Sequence, residues 1–238
     1  MIVTKNLIDV ANAQGVIDWA KVATAKKDGV IIRAGYRGYG TAGTLATDKQ
    51  YKANMTGANA AGVPVGCYWL SQAISDAEAV AEGKYLVGLL EPYRAKLVFP
   101  VFLDSEYGEG QHATGRADKL PKQLRTQYGL TFLRTLKDAG FQTGLYCSEN
   151  WFSEFIDGEA FRAANHKIWI ANVSKKPTIP CDAWQHSWKG RVDGISTDVD
   201  LDYFYYDESD NLSDRIRQLE AENQSLKAQI AAIREILG

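Results

Sequence analysis

Apolar positions along the chain alternate between two patterns. Short runs rich in Val, Ile, Leu and aromatic residues are followed by longer stretches with helical spacing. Residues 6–12 predict a short strand and 18–27 a helix. GVIIRAGY (29–36) is a second strand, 48–61 a helix ended by Gly62, and VPVGCYWL (63–70) a third strand. Ser75, with Glu78 three residues on, forms a capping box ahead of a helix reaching Arg94. LVFPVFLDSE (97–106) follows, an apolar run that reads as a buried parallel strand ending in two acids. A polar loop (107–119) leads to a helix over 121–139 that stops at Gly140, then a strand at 142–147. Short helical patterns at 150–165 precede three closely spaced strand candidates at 167–173, 181–188 and 199–206.

Five strand-then-helix units followed by strands with little between them predict an α/β fold with a parallel sheet. Its simplest form is an irregular TIM-like (β/α) barrel with a reduced second half. An open doubly wound sheet is the alternative, but no G-x-G-x-x-G or phosphate loop follows a strand to hold a nucleotide. Beyond Tyr206 the pattern changes. Leu212, Ile216, Leu219, Asn223, Leu226, Ile230, Ile233 and Leu237 alternate by four and three, a heptad seam with Asn223 at an a position. That seam predicts a C-terminal coiled-coil helix that makes the chain a homo-oligomer, with a parallel dimer favoured. Arg215 would face Glu220 of a partner, and Glu222 would face Lys227. An added tag or a spacer before a further module would read the same way. The expected organisation is a barrel over 1–207 and an oligomerisation helix over 208–238.

Composition narrows the classes of function. The 238 residues suit one barrel-sized domain, and 27 basic against 29 acidic residues leave a net charge of -2. No basic field draws the chain to nucleic acid or an anionic membrane. No run approaches the roughly 18 apolar residues of a membrane span, and residues 1–10 lack a signal-peptide pattern. Cys67, Cys147 and Cys181 make an odd count without C-x-x-C spacing, and His112, His166 and His186 are scattered. Neither a disulfide framework nor a metal is expected, and no cofactor.

Chemistry concentrates at strand ends. Side chains alternate along a strand, so Asp104 and Glu106 point to one side with Cα atoms about 6.6 Å apart. Two acids sharing a small space resist double ionisation, so one is expected to keep a proton for donation, as cleavage of a glycosidic bond requires. The plain alternative is a pair of solvated loop acids. In a barrel, working residues project from the C-terminal ends of strands. Asp9 lies there as well, as does one of Asp198, Asp200 and Asp202. Tyr36, Tyr68, Trp69, Tyr146, Trp169 and Trp184 occupy similar places, and aromatic walls over an acidic floor suit a sugar. Each of these rings could instead be ordinary core.

Taken in order, IDVANAQGVIDW, PVGCYW, FLDSE, GLYCSENW, IWIANV, AWQHS and GISTDVDLDYF resemble the family 25 glycoside hydrolases. These are lysozymes of the Chalaropsis type, common as phage endolysins. The likeness runs from Leu7 to Phe204 and makes 1–207 the catalytic part. It implies that Glu106 is the proton donor and that Asp104 stabilises the positive reaction centre or positions a substrate group. It also selects Asp200 through V-D-L and implies that Asp9 and Asp200 complete the acidic site. Gln185 of AWQHS joins the aromatics as a substrate contact. The implied substrate, and partner, is bacterial peptidoglycan, cut at the β-1,4 bond between N-acetylmuramic acid and N-acetylglucosamine. The implied location is the host cytoplasm before release to the wall. Ala11, His186 and Asp202 depart from the family pattern, and His186 is expected near the site, titrating close to neutrality. Retaining, inverting and substrate-assisted routes stay open, because the first two differ in carboxylate separation, about 5 Å against 6.5 Å or more. The remaining alternatives are a non-catalytic wall-binding barrel and another N-acetylhexosaminidase. A chitinase would carry D-x-x-D-x-D-x-E, yet 97–103 contain no acid.

Overall fold

The structure, a computed structural model, describes residues 2–108 and 114–207 and, beyond these, Leu219, Asn223, Leu226, Lys227 and Ile230. Nine strands and six α-helices are present among them. In chain order these are β1 (Ile2–Val10), α1 (Trp19–Thr24), β2 (Gly29–Arg37), β3 (Leu45–Thr47), α2 (Tyr51–Ala60), β4 (Val65–Leu70) and α3 (Asp76–Leu90). There follow β5 (Leu97–Asp104), α4 (Lys122–Asp138), β6 (Thr143–Ser148), α5 (Glu149–Glu154), α6 (Gly158–Ala163), β7 (Lys167–Ala171), β8 (Ala183–Gly190) and β9 (Val199–Asp207). One compact unit covers Lys5–Phe204; Met1–Thr4 and Tyr205–Gly238 group apart from it. Of the heptad seam, Leu219, Asn223, Leu226 and Ile230 are helical and exposed, while Leu212, Ile216, Ile233 and Leu237 lie outside the described residues, as does His112.

The predicted stops hold for physical reasons. Gly62 and Gly140 adopt φ 71 and φ 87 after α2 and α4, a left-handed conformation that glycine takes without steric cost. Ser75 Oγ accepts the Glu78 amide at 3.2 Å, as the capping box requires. The Glu78 carboxylate, however, reaches back to the Ile74 amide and to Arg116. α3 ends at Leu90 rather than 94, because Pro92 cannot continue an α-helix and a 3-10 turn takes over at Glu91–Lys96.

Eight of the strands close into a barrel. Around it the order is β1-β9-β8-β7-β6-β5-β4-β2, and β1 pairs back onto β2; β3 lies outside, antiparallel to β2. From β1 through β2, β4, β5, β6, β7 and β8 every neighbour is parallel. β9 is antiparallel to β8, which corrects the all-parallel expectation. The reason is the link over 191–198, too short for the crossover that a parallel return needs. Pro100, inside β5, has no amide to give the ladder. The register with β4 slips around it, from Val65↔Leu97 to Cys67↔Val101.

The strands are buried on both faces, which separates two apolar sets. Ile8, Val30, Ile32, Cys67, Trp69, Val101, Leu103, Leu145 and Ile168 face outward into a core with Met55, Leu86, Phe132 and Leu136 of the helices. Inside the barrel, Phe99 meets Phe204 at 5.4 Å between ring centroids and Phe102 meets Trp169 at 5.0 Å. A Cβ on Gly144 would come 2.4 Å from the Phe102 ring, so this position admits no side chain. Large rings thus plug the lower barrel and leave the upper end to polar groups.

The outer layer holds a buried ion pair. Arg37 Nε donates to Glu82 Oε1 at 2.6 Å and Trp69 Nε1 to Glu82 Oε2 at 3.2 Å, while the other guanidinium nitrogens reach the carbonyls of Gly43 and Glu78. Removing one partner strands the other charge. Glu82→Ala is expected to cost about 3–5 kcal/mol in urea unfolding; a loss below about 1 kcal/mol would show that the pair is not desolvated.

Candidate active site

The upper barrel end gathers side chains from seven strands. Asp104 ends β5, and the extended course continues one residue further, since the Ser105 amide donates to Tyr146 O at 3.0 Å. Ser105 Oγ accepts the Trp151 indole N–H at 3.2 Å. With Ser105 pinned outward, Asp104 and Glu106 face the same side, as strand alternation predicts. Asp9 of β1 and Asp200 and Asp202 of β9 meet them there. Gln185 of β8 ties the group together: its Nε2 donates to Asp9 Oδ2 at 2.8 Å and lies 3.5 Å from Asp200 Oδ2. Its Oε1 accepts Tyr146 OH and Trp188 Nε1, each at 2.9 Å. Trp169 forms the floor, donating its indole N–H to Asp202 Oδ1 at 3.0 Å and packing on the rings of Tyr146 and Tyr68.

Several sequence-nominated residues lie elsewhere. Trp69 is fully buried on the outer barrel face against Glu82 and Tyr85. Trp184 also points outward, bonding Asn172 O at 2.8 Å and packing with His186 and Tyr203. Neither reaches the acids, because on a strand apolar on both faces an aromatic carries no sign of its side. His186 shares that outer face, stacked 4.3 Å from Tyr203, and burial together with the Lys27 charge lowers its pKa. The expectation of a titrating histidine at the site is therefore corrected. Tyr36 sits at the rim, stacked near Tyr39 with the Arg33 guanidinium over its ring. Asp198 is exposed and paired with Arg191.

Other residues complete the site without any sequence signal. Arg33 is held by Asp48 at 2.8 Å and by Asn12, and its charge opposes the rise in pKa of Asp104 and Glu106. Beyond Glu106 the loop is drawn back by Asp118, which accepts the amides of Gly108 at 3.0 Å and Gly115 at 2.7 Å. Gln72 joins them, donating to Asp118 and accepting the Ala117 amide. These bonds hold Gly108, Gly115 and Ala117 about the Asp118 and Gln72 side chains. A groove between α3 and α4, lined by Asp76, Gln127, Leu130, Thr131 and Arg134, contains none of the barrel-mouth acids.

Crowding sets the proton inventory. Burial raises Asp104 well above the carboxylate range, and Glu106 and Asp9 add to it. Burial and the Asp200 charge raise Asp9, against hydrogen bonds from Gln185 and Asp202. Asp202 is raised by burial, then by Asp9 and Asp200, and its Oδ2 is buried with no hydrogen-bond partner among the described residues. Glu106 is raised to about 7 by the protein packed around it and by Asp200. Its side chain opens to solvent at the mouth, so water moderates that rise while leaving its direction. Asp104 Oδ1 is buried with no hydrogen-bond partner among the described residues. No group of three or more His, Cys, Asp or Glu among the described residues is arranged to hold a metal ion.

A closed α/β barrel whose mouth carries clustered acids of raised pKa over an aromatic floor is built for acid–base work on a polar, ring-bearing ligand. The chain belongs to the glycosyl hydrolases family 25, whose family model matches residues 8–195. Lysozyme M1 of Streptomyces globisporus is 28% identical over 205 residues, covering 83% of this chain and 66% of that protein. The autolytic lysozyme of Clostridium acetobutylicum is 28% identical over 202 residues, covering 83% of this chain and 55% of that protein. The chain thus spans less than two thirds of these curated relatives. The bacterial lysozyme structure from Streptomyces coelicolor shares the fold, with a TM-score of 0.70 at 24% identity over 88% of this chain and 95% of that one.

Raised carboxyl pKa values give stability a defined pH dependence. Asp200 titrates near 3.8 unfolded and at about 6 folded. Its contribution is fully present below the unfolded value and is lost as pH rises through the folded one. Asp200→Asn should therefore gain on the order of 1–2 kcal/mol at pH 8 and almost nothing at pH 3, read from unfolding at both. An equal gain at both pH values would refute the assigned shift.

Proposed function

We propose that this chain is a peptidoglycan hydrolase, an N-acetylmuramidase that cleaves the β-1,4 bond between N-acetylmuramic acid and N-acetylglucosamine. The observation that carries the reading is the convergence of Glu106, its pKa raised, at the lip of an aromatic-floored mouth with the buried acids Asp104 and Asp9. Glu106 gives its proton to the leaving glycosidic oxygen, and positive charge develops at the anomeric carbon. Asp104, whose Oδ1 has no protein partner among the described residues, accepts the acetamido N–H of the sugar through that oxygen or, in its ionised form, stabilises that charge. Asp9 and Asp200, oriented by Gln185, hold sugar or the water whose oxygen then bonds the anomeric carbon, its proton passing to a carboxylate of the site. Tyr36, Tyr68, Tyr146 and Trp169 give the mouth its apolar lining.

We read the barrel as TIM-like with a reduced second half, a view supported by helices that follow each early strand and are absent after β7 and β8. Residues 1–207 form the catalytic part in this reading and 208–238 a coiled-coil helix. An endolysin role, exercised from the host cytoplasm on the wall, fits the family. Among the described residues no helix is long and apolar enough to cross a membrane.

Glu106→Gln is expected to lower turnover of purified sacculi by ~10²–10⁴-fold with the fold retained; activity close to that of the parent chain would remove Glu106 from the acid role. Because the acid must be protonated, kcat/KM for the parent chain should fall as pH rises past about 7. Mass analysis identifies the bond: a new reducing muramic acid end supports the muramidase, and a reducing glucosamine end excludes it. For the tail, supported by the exposed helical Leu219, Leu226 and Ile230, sedimentation should show a dimer that dissociates on dilution. A monomer at every concentration would remove the coiled coil.

A further inference from the structure

Trp188 stands apart from the other aromatic residues of the barrel. It lies near the C-terminal end of β8, on the side of the acids, with 54% of its surface exposed. The core holds Trp19, Trp69, Trp151 and Trp169 at 7% exposure or less, so open apolar surface of this size at a tryptophan is unusual here. Its position is imposed by the strand. Three residues after the inward-facing Gln185, simple alternation would turn Trp188 to the outside. The β8–β9 register slips twice, between Gln185 and Ser187 and again between Ser187 and Gly190, and the Lys189 amide folds back onto Ser187 Oγ. Such irregularities re-aim side chains. Here they bring the indole N–H to Gln185 Oε1, the amide oxygen that also takes Tyr146 OH. The same amide holds Asp9 and approaches Asp200, so the indole is moored one side chain away from the acids.

We propose that Trp188 is a sugar-stacking platform at the rim of the mouth, forming a subsite for a neighbouring N-acetylhexosamine ring of the glycan strand. This rests on the glycan-hydrolase reading and adds to it where the chain grips its polymer beyond the bond being cut. The occupant follows from the surface offered. A flat ring with a negative face accepts the C–H-rich face of a pyranose, and the acids beside it can accept the hydroxyl and amide N–H groups at the ring's edge. The hydrogen bond to Gln185 fixes the ring before the ligand arrives, so stacking sacrifices little side-chain freedom. A tryptophan serving only to cover the floor would be buried. This one is held by its edge with much of its surface open.

The test measures binding and turnover of soluble oligomers of alternating N-acetylglucosamine and N-acetylmuramic acid, from tetrasaccharide to octasaccharide. On the full chain carrying Glu106→Gln, adding Trp188→Ala should raise Kd for the octasaccharide about ten-fold, and Trp188→Phe, which keeps a flat ring but no N–H, at most about three-fold. In the active chain, Trp188→Ala should lose about ten-fold in kcat/KM, carried by KM, with a smaller effect on the tetrasaccharide. Equal losses for Phe and Ala, or a loss confined to kcat, would show that the residue merely positions Gln185 and would overturn the platform. An unchanged Kd with the parent chain still cleaving overturns the platform and leaves the hydrolase reading standing. A parent chain that neither binds nor cleaves these oligomers sinks both.

Discussion

β1 hydrogen-bonds to β2 along one edge and to β9 along the other, and that closure sets Asp9, from the start of the chain, against Asp200 and Asp202 from the last strand. The lower barrel is sealed by Phe99, Phe102, Trp169 and Phe204, so water reaches the acids from the mouth side. Apolar packing below and closure around together make a site from residues far apart in sequence. Neither works alone, since without the β1–β9 pairing Asp9 would part from Asp200.

The crowding that results decides the chemistry. Asp9, Asp104, Glu106, Asp200 and Asp202 share a space with, among the described residues, the Arg33 cation, which is already bound to Asp48 and Asn12. That charge cannot neutralise all five, so protons must remain. Asp202 lies deepest, where Trp169 holds one oxygen and burial with the neighbouring Asp9 and Asp200 raises its pKa. At the lip, Glu106 keeps its own up to about 7, where a substrate can take it. Identical functional groups thus acquire different roles through depth and neighbours alone.

Much of this was legible in the residues. Strand runs, the glycine stops at 62 and 140, and the D-x-E alternation all reflect short-range physics, and each reappears as expected. What escaped depends on distant partners. The side on which Trp69 and Trp184 fall is hidden in strands apolar on both faces, and His186 follows Trp184 to the outside. The reversal of β9 follows from a link too short for a crossover, which matters only once the register is known. Arg33 reaches Asp48 across 15 positions and Gln72 reaches Asp118 across 46, and no local motif encodes either bond.

The central claim is that a proton rests on Glu106 at neutral pH because neighbouring protein and acid prevent its loss. Carbon-13 NMR of the glutamate side-chain carboxyls, with the Glu106 signal assigned by its disappearance in the glutamine variant, reads this directly. The midpoint is expected well above 4.5 and moves down when Asp200 is replaced by Asn. A Glu106 signal that titrates near 4.5, unaffected by that replacement, would contradict it.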